Sequence, residues 1–157
     1  MKILPTAASG LCIEVEDPGD WLLLKGITHD AVSCEEKLAH RLGKLIIDPA
    51  VAPDWRDYIV PDLEAGFSAH LITVASAIAA ARVESGGGPG PLWITGSDTM
   101  DWYSALNQAR LALEDRFHFG PAQNLDPLTL APERRAAFLR SQFYGAIQSL
   151  LLELGLP

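Results

Sequence analysis

Apolar residues recur along this chain with two different periods, and the change from one to the other divides it into elements. Leu11, Ile13 and Val15 alternate with Cys12, Glu14 and Glu16 at the two-residue period of a half-buried strand. Residues Ile3 to Val15 therefore predict a small hairpin, with Cys12 on the same face as the glutamates. From Leu63 the period becomes helical: Leu63, Phe67, Leu71, Val74, Ile78 and Ala81 fall on one stripe. Ile72, Ala75 and Ala79 make the opposite side apolar too, which predicts a helix at the centre of the fold. Trp102, Leu106, Ala109, Leu113 and Phe117 form the stripe of a further helix from Asp98 to about Phe117. In the last helix Leu139, Phe143, Ala146, Ile147, Leu150 and Leu154 make a wide apolar face, flanked by Tyr144 and Leu151 on one side and by Leu152 on the other.

Start and stop signals bound these elements. Asp17-Pro18-Gly19-Asp20 has the pattern of an N-cap followed by proline at the first helical position, leading into Trp21 and three leucines. Ser33-Cys34-Glu35-Glu36 reads as a second start of the capping-box type, for a helix ending near Gly43. Asp48 to Pro53 reads as a loop, and a short helical piece from Trp55 to Tyr58 meets Pro61 at the first turn of the central helix. Ser85-Gly86-Gly87-Gly88-Pro89-Gly90-Pro91 is the clearest break and predicts a flexible internal loop over 85–91. It lacks the Lys-Ser/Thr ending of a phosphate-binding loop, and the strand-like Leu92 to Thr95 follows it instead of a helix. Gly120 to Thr129 is a loop, and Pro132 opens the last helix.

The expected fold is mainly α within the α+β class: a helical bundle with a small antiparallel sheet formed by the N-terminal strands and a short strand near 92–95. These strand-like runs are too short to be stable singly. The chain of 157 residues reads as a single helical domain over 1–157 carrying an N-terminal β-hairpin, because neither side of the glycine loop holds a complete core.

Charge narrows the function classes. Acidic residues outnumber basic ones 20 to 12, and a net charge of -8 repels nucleic-acid backbones and anionic lipid. The only tight basic cluster, Arg134, Arg135 and Arg140, reads as a solvated helix face. Direct nucleic-acid binding is not expected. The most apolar stretch, Leu71 to Ala81, is short of the roughly 20 residues of a spanning helix, and Pro5 and Leu11 spoil the lipoprotein-like start at Cys12, so no membrane association is expected. Two cysteines are too few for a disulfide framework and suit a reducing cytoplasm.

Candidate chemistry is sparse. Arg110 projects beside the apolar stripe of its helix, between Phe117 and Tyr103, and is expected in the core against several carbonyls or a carboxylate, with Asp57, Asp62, Glu64 or Glu114 as candidates. Trp102, Asn107 and Arg116 flank it and complete a buried polar network or ligand site. Arg110 serves either as an internal ion pair or snorkelling side chain that holds helices in register, or as an anchor for a small anion. Glu36 and His40 share a helix face near His29 and Cys34, but no paired metal-ligand motif accompanies them, and neither metal nor cofactor is expected. His70 reads as a hydrogen-bonded core histidine. At Cys34 the helix start favours a thiolate while Glu35 and Glu36 oppose it, so Cys34 and Cys12 read as two unpaired thiols with a redox pairing as the alternative.

The run Trp102-Tyr103-Ser104-Ala105-Leu106-Asn107-Gln108-Ala109-Arg110-Leu111-Ala112-Leu113-Glu114-Asp115-Arg116 resembles an uncharacterised bacterial family that includes actinobacterial oxidative-stress regulators of the AosR type. The family pattern there is Trp, three residues, Leu-Asn, two residues, Arg-Leu-x-Leu, two residues, Arg. Glu114 stands where the family usually has glycine. The resemblance extends over most of the chain and implies a small cytoplasmic regulatory or interaction protein, not an enzyme, that acts through protein partners. Redox sensing in that family goes with closely spaced N-terminal cysteines, whereas Cys12 and Cys34 are far apart. The functional expectation is a non-catalytic regulatory or protein–protein interaction module, with a stress-related role implied by the resemblance. The rival is an anion-binding or enzyme domain built on Arg110. A twofold-symmetric homodimer is expected through the apolar circumference of the last helix, with Leu151 and Leu152 outward, or through the central helix beneath it.

Overall fold

The computed structural model describes residues 1–7, 10–45, 48, 50–121 and 125–154. The tip of the hairpin at positions 8 and 9, and parts of the loops read at 48–53 and 120–129, lie outside the described residues. Strands β1 (Lys2–Pro5), β2 (Leu11–Val15) and β3 (Gly90–Ile94) form an antiparallel sheet in the order β1-β2-β3. The strand expected near 92–95 thus joins the hairpin, with Ile13 opposite both Ile3 and Leu92. Leu11, Ile13 and Val15 are buried under the helices, while Cys12 lies on the other face between Leu4 and Trp93 of the flanking strands.

Helix α1 (Pro18–Ala31) starts as its sequence dictates: Asp17 accepts from the Gly19 and Asp20 amides, and the Asp20 carboxylate returns to the cap backbone. The start read at Ser33 is different. Helix α2 (Leu38–Gly43) begins four residues later with no side-chain cap, and the Ser33 hydroxyl donates 2.7 Å to the Asp30 carbonyl at the end of α1. The serine closes one helix instead of opening the next.

Helix α3 (Ala52–Asp54), a π-helical segment (Trp55–Ile59) and α4 (Val60–Glu84) run on continuously. Pro61 is the second residue of α4 and directly follows the π-helical segment, so within this continuous helix it supplies no N–H to the preceding turn. The glycine loop turns through Gly86 and Gly87 at φ of 62° and 79°, values open to glycine, and the Trp21 indole donates 2.8 Å to the Gly88 carbonyl. Helices α5 (Thr99–Phe117) and α6 (Pro132–Glu153) complete the fold.

The core gathers Leu11, Ile13, Trp21, Leu24, Ile27, Val74, Ile78, Trp102, Leu106, Tyr144 and Leu151 from the sheet and from α1, α4, α5 and α6. α5 is its axis, packed against α1, α4 and α6. Two expectations are corrected here. α4 is not central: of its 25 residues only Val60, Val74 and Ile78 are buried. The buried side of α6 is Ala137, Phe138, Ser141, Tyr144, Ile147, Gln148 and Leu151, whereas Leu139 is 54% exposed. Leu151, expected outward, has no exposure at all. Polar side chains with internal partners, not leucine count, set the rotation of α6.

Candidate functional site

Those partners include an ion pair whose acidic member is deeply buried. Asp30, in the last turn of α1, is 4% exposed and accepts from Arg140 Nε at 2.7 Å, from Arg140 Nη2 at 3.0 Å and from the Tyr144 hydroxyl at 2.8 Å. Arg140 and Tyr144 stand one helical turn apart on α6, which places both donors over a single carboxylate. A fork-on-carboxylate pair with a third donor satisfies most of the Asp30 lone pairs and offsets the cost of burying its charge. The hydrogen bond to Asp30 raises the Arg140 pKa further, and burial followed by the Asp30 charge drives the Tyr144 phenol well above its usual value. α1 makes room for this contact at Gly26, where an added Cβ would stand 2.8 Å from the Tyr144 hydroxyl. A glycine inside a helix costs about 1 kcal/mol against alanine, and here it is the price of that approach.

Arg110, expected in the core, is exposed. Its guanidinium lies across α6 at Gly145, 3.4 Å from where a Cβ would be, and Nη1 donates 2.6 Å to Gln148 Oε1. Gln148 is 3% exposed and also donates to the Tyr103 carbonyl at 3.2 Å. Among the described residues Arg110 meets an amide, then, and none of the carboxylates proposed for it. The buried arginine–carboxylate pair exists, but in Arg140 and Asp30; Arg140 is no member of a solvated basic face. The other residues grouped with Arg110 are not brought together with it. Trp102 is wholly buried in the core and Asn107 is half-buried. Arg116 is at the far end of α5, paired with Glu133 at 3.0 Å and stacked over Phe117 at 5.1 Å.

Cys34 lies in the turn between α1 and α2, not in a first helical turn, so a helix dipole does not act on it. Its Sγ donates 3.4 Å to the Ala112 carbonyl and lies 3.6 Å from Asp115 Oδ2. Burial, then the contact with Asp115, raises the thiol pKa, and burial does the same for Cys12, aided by Glu14. Both thiols are free and are held in the protonated form, which is the poorer nucleophile. Cys34 borders a cleft of about 310 Å³ whose wall includes Arg41, Glu64, Phe67 and Gln108. Three polar groups of that wall are engaged, Arg41 with Asp115 at 2.8 Å, Glu64 Oε2 with Lys37 at 3.1 Å and Gln108 with the Phe67 carbonyl at 3.2 Å, while Glu64 Oε1 is buried with no hydrogen-bond partner among the described residues. Of the histidines weighed, His40 stands 3.1 Å from Glu64, and half-buried His70 meets Asp101 at 2.5 Å.

The solvent side of α4 is largely apolar. The inward stripe of α4 is the one read from the sequence, but its other side faces solvent, with Ile72 at 66% and Val83 at 79% exposure. The helical stretch Ala52–Glu84 holds an 18-residue window of mean hydropathy 1.4, and 11% of that window is buried. This is a longer apolar segment than the run from Leu71 to Ala81.

A family model described as a domain of unknown function (DUF2017) matches residues 25–154. The chain belongs to that family. The DUF2017 match begins within α1 and ends one residue beyond α6, so it takes in the Asp30 cluster and all of α4. No curated protein and no solved structure matches the chain.

Sequence reasoning missed Asp30, Tyr144 and Gln148. One local signal was present. Gly26 and Gly145 interrupt otherwise regular helices, and each marks a helix surface approached closely by a polar side chain from a neighbour.

Proposed function

We infer that this chain is a non-catalytic protein–protein interaction module whose working surface is the outward side of α4. One observation carries the reading: a long helix, anchored along its inner side to α5, α1 and β3, presents small and apolar side chains to solvent over most of its length. Large exposed apolar patches mark sites of association. Two arginines that could serve as anion anchors are already engaged, Arg140 with Asp30 and the exposed Arg110 with the Gln148 amide. A regulatory, stress-related role is the extension that the resemblance to AosR-type regulators supports, and the two free thiols suit work in a reducing cytoplasm.

The test is affinity capture from the native host with the parent chain and with an Ile72→Glu, Val83→Glu variant. Both side chains are exposed, so the variant keeps its fold. A protein retained by the parent and lost by the variant supports the reading. Identical recoveries from the two baits refute it.

A further inference from the structure

We propose that the outward face of α4 pairs with the same face of a second copy of this chain, antiparallel and twofold-symmetric about Ile72. The proposal rests on the interaction-module reading and names the partner of that surface.

The outward positions Ala65, Ala69, Ile72, Ser76, Ala79 and Val83 recur at alternate steps of four and three residues, and all six are exposed. A repeat averaging 3.5 residues is that of a helix–helix seam. Flanking positions Ser68, Ala75 and Ala80 are small and exposed too, and no charged residue is exposed between Asp62 and Arg82. Small side chains at a contact let two helix axes approach to the short end of their usual separation, without bulky groups to interleave.

Charge then decides the direction. Asp62 and Arg82 stand ten residues to either side of Ile72, and both are exposed. Antiparallel pairing about Ile72 sets Asp62 of each copy against Arg82 of the other, Ala65 against Ala79, Ser68 against Ser76 and Ala69 against Ala75. The surroundings agree in sign: Asp54 and Asp57 outnumber Arg56 at the Asp62 end, and Lys25 lines the same groove as Arg82 at the other, with Glu84 just beyond. Parallel pairing would stack Asp62 on Asp62 and Arg82 on Arg82. A twofold axis makes the contact self-complementary, so that each residue both gives and receives the same interaction and the assembly closes at two.

The competing occupant is a lipid surface. The hydropathy of the stretch allows it, but only one strip of α4 is free and its other side is packed against α5, α1 and β3. A strip of small residues bounded by opposite charges fits a helix better than acyl chains, which gain little from alanine.

The experiment is light scattering with size-exclusion chromatography across micromolar concentrations of the purified chain. Twice the chain mass is expected. Ile72→Glu places two carboxylates on the symmetry axis and should return the chain mass with unchanged helical circular dichroism. Asp62→Arg and Arg82→Asp should each weaken the dimer by on the order of tenfold, since each change acts twice in the symmetric pair. The double variant Asp62→Arg, Arg82→Asp should restore parent affinity. A chain monomeric throughout, a dimer indifferent to Ile72→Glu, or a double swap weaker than both single swaps each overturns the pairing. So does flotation with phosphatidylglycerol vesicles that Ile72→Glu abolishes, which would assign the strip to lipid. A monomer that still captures a host protein through α4 overturns the pairing alone and leaves the interaction module standing.

Discussion

Helices α4 and α6 are alike on paper and opposite in the fold. Both are long, and both carry apolar residues around more than half of their circumference. α6 buries seven residues, among them Ser141, Tyr144 and Gln148, whereas α4 buries three and leaves Ile72 and Val83 in solvent. The helix with polar groups in its buried face is the structural one, because Tyr144 and Gln148 have distant partners, Asp30 and the Tyr103 carbonyl, that only one rotation of the helix satisfies. Among the described residues nothing covers the outer face of α4. Apolarity shows that a surface will be covered; the placement of hydrogen-bonding partners shows by what.

The sharpest way to break this comparison is to put the same charge on each helix. Leu151→Glu forces a carboxylate into a site with no exposure and should cost about 4 kcal/mol or more, enough to unfold a domain of ordinary stability. Ile72→Glu, by contrast, should change the stability of the isolated chain by about 0.5 kcal/mol or less. Urea titration of both variants at a concentration that keeps the parent monomeric reads the difference directly. Equal midpoints would mean that α4 and α6 contribute alike.

The next effect concerns what turns α6. Removing Arg140 as Arg140→Leu strands Asp30 in the core with one remaining side-chain donor, Tyr144, and should cost about 3 kcal/mol, the low end for a broken buried pair because Arg140 is 31% exposed at its side chain. Removing both charges, as Asp30→Leu with Arg140→Leu, should recover much of that loss. The corresponding change Arg110→Leu should cost less than 1 kcal/mol, since an exposed guanidinium leaves only the Gln148 carbonyl oxygen short of a donor. If Arg110→Leu is the more damaging, the assignment of the structural arginine is wrong.

These cases show where sequence reading stops. The Asp17 cap, the proline starts at Pro18 and Pro132, and the alternation through Leu11 to Val15 were legible because the interactions that enforce them span a few residues. So was the inward stripe of α4, since a helix with a strong apolar side uses it. Asp30 and Arg140 are 110 residues apart and carry no mutual signal, so the arginine chosen for the core was the one beside an apolar stripe, Arg110. Long side chains at a stripe's edge reach outward as readily as inward. The rotation of α6 is illegible for the same reason: an apolar count sets Tyr144 on a flank and gives Gln148 no weight, while their partners lie on α1 and α5.

The smallest effect isolates one hydroxyl of the cluster and uses pH to do so. Tyr144 is fully buried, and burial together with the adjacent Asp30 charge holds its proton far beyond the range where an exposed phenol ionises. In the unfolded chain the same tyrosine ionises near pH 10. Below that pH both states keep the proton and the group adds no slope. Above it the unfolded state gives up a proton that the folded state retains, so stability must fall as pH rises. Tyr144→Phe removes this dependence. At neutral pH the variant should be less stable by about 1.5 kcal/mol, for a lost hydrogen bond to a carboxylate. Each pH unit above about 10 should then close the gap by roughly 1.4 kcal/mol, because in the parent one proton separates the folded from the unfolded state. Urea midpoints of parent and variant between pH 8 and 11 should therefore converge, with every other titrating group common to both. Curves that stay parallel would mean that Tyr144 loses its proton in the folded chain as easily as in the unfolded one, and that its hydroxyl does not close the Asp30 site.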